Sequence, residues 1–110
     1  MTRRDDRISS LVAHEAAAFI RREAGTDSLI TVTRALPAAR GERISVFITV
    51  FPEEKTRAAL SFLERHRESF SEYLKTHTRL RPLPRIEFLM DGGEKNRQRL
   101  DELSGGPSGN

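Results

Sequence analysis

The sequence predicts an α+β domain in the order α-β-β-α-α-β, with a three-stranded sheet carrying all its helices on one face. Three observations carry this. Leu29 to Phe51 holds two alternating apolar runs across a single short turn. Stretches with apolar residues three and four apart precede and follow that hairpin, and a last alternating run, Ile86 to Asp91, comes after the second of them. A period of two with one β-branched face marks a sheet buried on one side only, and a period near 3.6 marks the helices that cover it.

The first helix starts at Asp5 or Asp6 and buries Ile8, Leu11, Val12, Ala16, Phe19 and Ile20. Arg21 and Arg22 suit the negative end of its dipole, and Gly25 is the expected C-cap. In the first strand Ile30 and Val32 point inward, against Thr31, Thr33 and Ala35 outward. In the second, Ile44, Val46, Ile48 and Val50 alternate with Arg43, Ser45, Phe47 and Thr49. Pro37 and Gly41 bracket a connection short enough to make the strands antiparallel neighbours. A hairpin alone is marginal in water, so the helices must complete the core.

Pro52 followed by Glu53 and Glu54 signals the next helix, whose stripe runs through Ala59, Leu60, Phe62 and Leu63 and then falters around Arg67 to Ser69. Ser69, Phe70, Ser71 and Glu72 fit a capping box, so one helix is expected to end near Glu68 and a shorter one to run from Phe70 to Thr76. A continuous helix with solvated serines is the alternative. Pro82 and Pro84 make Arg79 to Arg85 an extended connector, and Ile86, Phe88 and Met90 share one face of the third strand. A helical crossover makes that strand parallel to one of the hairpin strands. Residues 1–91 thus form one domain. Residues 92–103 are an extension able to form a weak helix through Leu100 and Leu103, and 104–110 are a flexible tail.

The 110 residues suffice for one modest core. There is no cysteine, so disulfides and thiolate metal sites are excluded. No apolar run has membrane-spanning length and no signal-peptide pattern follows the N-terminus, so the expected location is cytoplasmic. Nineteen Lys and Arg against sixteen Asp and Glu give a net charge of +3. Arginine dominates the basic set, and its planar fork suits phosphate, so nucleic acid is the first partner to consider.

His14, His66 and His77 lack metal-ligand spacing and read as helix-surface residues; no nucleophile elbow, phosphate loop or dinucleotide fingerprint is present. The expectation is a protein without catalytic residues, metal or cofactor. Lys75, Arg79, Arg81 and Arg85, with His77, lie in a long interval free of acidic residues and could track a phosphate backbone. The alternative is a solvated connector whose arginine stems cover the sheet edge. Arg67 and His66 join the candidate RNA-contacting set because a bend beside them would expose amides to a phosphate. Glu64 and Glu68 flank them, so a salt-bridged helix surface competes with that reading. The outward sheet face, with Thr31, Thr33, Ser45, Phe47, Thr49 and Glu87, reads as polar with one aromatic.

RISSLVAHEAAAFIRRE, LITVTRA, ISVFITV, LRPLPRIEFLMD and RLDELS, in this order and without large gaps, resemble the ribosome-binding factor A family. LITVTRA is similar to that family's Val-Thr-Val-Thr-Arg strand, and RLDELS to its closing Arg-Ile-Asp-Glu-Leu-Leu. The resemblance implies a KH-like fold of type II. It further implies a non-enzymatic factor that binds the free small (30S) ribosomal subunit, contacts its 16S rRNA and assists late maturation and rRNA processing as a monomer. One departure stands out. Where the family carries Ala-x-Gly at its helix bend, this chain reads His66, Arg67, Glu68. Two other expectations stand beside this one: a homodimerising interaction module using a sheet edge or the face around Phe47, and a KH-like binder of another RNA.

Overall fold

The computed structural model describes residues 3–38 and 43–92. Its elements are α1 (Arg3–Glu23), β1 (Leu29–Pro37), β2 (Arg43–Phe51), a 3-10 turn (Glu53–Lys55), α2 (Thr56–Arg65), α3 (Arg67–His77) and β3 (Arg85–Met90). The expected order and fold class are found. Strand order is β1-β2-β3, with β1 antiparallel and β3 parallel to the central β2. The expected weak helix and tail lie outside the described residues, as does most of the hairpin turn, which an Ala38 N–H to Arg43 carbonyl bond of 2.8 Å closes.

The core forms where the three helices meet the inward face of the sheet. Val12, Ala16, Phe19 and Ile20 of α1, Leu63 of α2 and Phe70 and Leu74 of α3 pack against Ile44, Val46, Ile48, Ile86 and Phe88. The spacing of those helical residues is what places them on a single stripe. Phe70 joins three elements, with its ring centroid 5.2 Å from Phe19 and 5.9 Å from Phe88. Such tilted aromatic contacts each add about 0.5–1.5 kcal/mol beyond area burial.

Four local expectations are corrected. A β-bulge between Val32 and Arg34 adds a residue to β1, so Ala35 lies opposite inward Val46 and packs on the core instead of facing outward. Alternation alone cannot show such an insertion. The helix break falls at His66, three residues before the Ser69 capping box, and no side chain caps the start of α3. Ser69 and Phe70 are interior to α3, because burial of Phe70 and Leu74 needs an unbroken turn on either side. Pro52 precedes a 3-10 turn, and α2 itself begins only at Thr56. Gly25 does not adopt a left-handed cap; α1 ends on an ordinary Ala24 N–H to Ile20 carbonyl bond.

The outward sheet face also departs from the polar expectation. Leu29, Leu36, Phe51 and Leu89 are exposed there, Leu29 and Phe51 as direct cross-strand partners. The guanidinium of Arg34 sits 4.8 Å from the centroid of Phe47, and Thr33 donates a 2.6 Å hydrogen bond to Asp91 at the end of β3. The bulge makes this clamp possible by turning Thr33 and Arg34 to the same side.

Candidate nucleic-acid interface

The connector that follows α3 is pinned at several points. Thr78 leaves the helix with extended backbone, and its hydroxyl donates to the Leu74 carbonyl at 2.7 Å. Leu80 and Leu83 then pack against the core, which holds the chain close as it returns toward β3. Arg81 folds back instead of reaching outward. It donates to the Lys75 carbonyl in the last turn of α3 at 3.0 Å and to the Leu80 carbonyl in the connector at 2.6 Å, so one of its N–H groups closes the C-terminal end of α3. Lys75 and Arg79 stay exposed at that same end.

Arg85 lies elsewhere. As the first residue of β3 it stands level with Arg43, the first residue of β2, in the parallel register. Parallel neighbours of this kind lie about 4.8 Å apart, so two guanidinium groups leave the sheet side by side. Arg67, the first residue of α3, completes the group: Arg43, Arg67 and Arg85 line one cleft of about 350 Å³ together with Glu68, Ser71 and Glu87. The basic residues read from the sequence therefore divide into two groups at opposite ends of α3, roughly 12–16 Å apart for a helix of this length.

The electrostatics of the cleft follow from its pairings. Glu87 accepts from the Ser45 hydroxyl at 3.1 Å. Arg67 pairs with Glu64 at 3.1 Å, but both are about half exposed, and such surface pairs contribute about 0–1 kcal/mol. Arg67 can thus change partners at little cost. Arg43 and Arg85 form no ion pair among the described residues.

His66 serves the helix break. Its Nδ1–H donates to the Phe62 carbonyl at 2.8 Å, and its ring lies 4.2 Å from that of Phe62. The same arrangement recurs at the end of α3, where His77 Nδ1 lies 2.9 Å from the Tyr73 carbonyl and the rings stack at 3.9 Å. In both, an aromatic residue four positions upstream of histidine lets the imidazole close the helix end. His66 bends the chain with φ −102° and ψ 12°, open to any residue, and no non-glycine residue among those described has positive φ.

Arg43 is the site residue that sequence reasoning did not single out. Its signal was present only indirectly, since it opens β2 as Arg85 opens β3, and the strand register is needed to bring the two together. Among the described residues no group of three or more His, Asp or Glu side chains could hold a metal ion, and no helix is long and apolar enough to cross a membrane.

Comparison with known proteins agrees with this architecture. No curated protein matches the chain in sequence. The crystal structure of ribosome-binding factor A from Thermus thermophilus superimposes with a TM-score of 0.68 at 28% identity, covering 78% of this chain and 94% of that one. Coordinates of the Thermus thermophilus factor fitted into a cryo-EM map of its 30S complex give 0.67 at 28% identity, covering 77% and 92%. A Thermotoga maritima protein solved by NMR shares the fold, with a TM-score of 0.56 at 21% identity, covering 82% and 86%. The family model for ribosome-binding factor A matches residues 4–104. With that span matched and the KH-like α+β fold in place, the chain belongs to the ribosome-binding factor A family.

Proposed function

We propose that this protein is a non-enzymatic assembly factor that binds the free small ribosomal subunit, contacts 16S rRNA and assists late rRNA maturation as a cytoplasmic monomer. The observation that carries the reading is the family match over residues 4–104, supported by a Thermus thermophilus relative fitted into a 30S complex. The basic residues give it a physical route. Lys75 and Arg79 at one end of α3, and Arg67 and Arg85 at the other, present exposed cations to a polyanion. His66 and Arg81 support them by closing the ends of α2 and α3. Residues 1–91 are taken as the binding domain, with 92–103 as an extension and 104–110 as a tail.

Sedimentation through sucrose gradients at low salt tests this directly. The protein should travel with free small subunits, and with mature ribosomes far less. A protein that stays at the top of the gradient with every subunit preparation would overturn the reading.

The exposed Leu29, Leu36, Phe51 and Leu89 favour a second reading, in which the outward sheet face joins two copies of the chain. Light scattering over a range of concentrations separates the two, because a dimer indifferent to RNA would support the second alone.

A further inference from the structure

We infer that the cleft between β2, β3 and the start of α3 seats a single backbone phosphate of the bound RNA, held jointly by Arg43, Arg67 and Arg85. The inference rests on the ribosome-binding reading and goes beyond it by naming the place and the stoichiometry of the contact. Three features of the cleft support it.

The first is a pair of like charges set side by side. Arg43 and Arg85 are level with each other on adjacent strands, and like charges directly opposite each other in a sheet are destabilising. Neither has an ion-pair partner among the described residues. An oxyanion between them turns repulsion into two charge-assisted contacts.

The second is the helix beside them. The first turn of α3 has no side-chain cap, and Arg67, Glu68 and Ser71 from its first turns line the cleft. Uncapped first-turn amides and the positive end of the dipole favour an anion on the same side as the guanidinium groups. The Ser71 hydroxyl offers a neutral donor there.

The third is the balance of charge: three arginines line the cleft against two carboxylates, Glu68 and Glu87. Glu87 already accepts from Ser45, and Glu64 outside the cleft holds Arg67 only through a half-exposed pair. On binding, Arg67 exchanges Glu64 for the phosphate while Arg43 and Arg85 gain a shared anionic partner. Arg81 takes no part, since it lies at the other end of α3, where it donates to the Lys75 and Leu80 carbonyls.

One shared phosphate and three separate phosphates differ in salt dependence, which counts the phosphates neutralised. Each contributes a slope of about 0.7 to 0.9 in log affinity against log salt concentration. Binding to purified small subunits would be measured for the native protein, for Arg43→Gln, Arg67→Gln and Arg85→Gln singly, for the triple variant, and for Arg57→Gln. Arg57 is exposed on α2 outside the cleft. Circular dichroism confirms that each variant is folded. The triple variant should lose roughly 0.7 to 0.9 of slope, little more than the most affected single variant, and Arg57→Gln should lose none. An unchanged slope in the triple variant overturns the seat. A loss of roughly 2 to 3 overturns the shared phosphate in favour of independent contacts. If the native protein binds no small subunit, the underlying reading fails instead.

Discussion

Restoring the family's glycine at the helix bend should destabilise this protein. In Glu68→Gly the substituted position lies in the first turn of α3, with helical backbone and an exposed side chain. No non-glycine residue among those described has positive φ, so glycine relieves no strain there. It does add backbone entropy to the unfolded chain, worth about 0.5–1 kcal/mol in a helix. The variant also removes a carboxylate from the positive end of the helix, worth about 0.3–1 kcal/mol at an exposed position. Together these give a loss of about 1–2 kcal/mol. For a domain of this size each kcal/mol lowers the melting temperature by about 4–8 °C. Thermal denaturation followed by far-ultraviolet circular dichroism should therefore show a drop of roughly 4–16 °C. Glu68→Ala separates the two contributions, because it keeps only the dipole loss, and that share shrinks at high salt. A Glu68→Gly variant as stable as the native protein, or more so, would refute the reasoning, since it would mean that the bend strains an ordinary backbone.

Two further substitutions probe the framework of the candidate interface. His66→Ala should cost about 1–2 kcal/mol in chemical denaturation, from a lost hydrogen bond and ring contact, at the low end because the Phe62 carbonyl keeps the His66 backbone N–H; a loss under about 0.3 kcal/mol would show that the ring does not hold the break. Arg81→Ala should lower stability by about 1 kcal/mol through its two carbonyl contacts and leave the salt slope of subunit binding unchanged. A fall in that slope of about one would place Arg81 on a phosphate.

The elements that the sequence showed were those whose pattern repeats. The stripe of Val12, Ala16, Phe19 and Ile20 and the alternation of Ile44, Val46 and Ile48 each repeat one physical requirement, so single exceptions do not hide them. Features built from one residue were not legible. The bulge at β1 depends on where an extra residue enters, and Thr33 and Arg34 look the same in sequence with or without it. The break at His66 carries no proline, glycine or capping side chain, and its support comes from an imidazole reaching back one turn. A capping box three residues later was therefore a better local signal and the wrong one. The candidate site suffered similarly. Lys75, Arg79, Arg81 and Arg85 are close in sequence, but Pro82, Pro84 and the packing of Leu80 and Leu83 carry Arg85 away from the other three.

That separation bears on the proposed RNA contact at a bend that carries no glycine. A glycine at the bend permits close approach of a phosphate to bare backbone amides. Here the first turn of α3 carries Arg67 and Glu68, whose side chains stand in the path of such an approach. A phosphate on this side must sit farther out, where amides contribute mainly through the helix dipole and the remaining attraction has to come from long side chains. Arginine reaches that distance and its fork can grip two oxygens, whereas lysine offers only a point charge. All three cations in the cleft are arginine, and they come from β2, α3 and β3, elements fixed by the same core. In the proposed seat, side chains from three elements thus do at this bend what a glycine would leave to backbone amides.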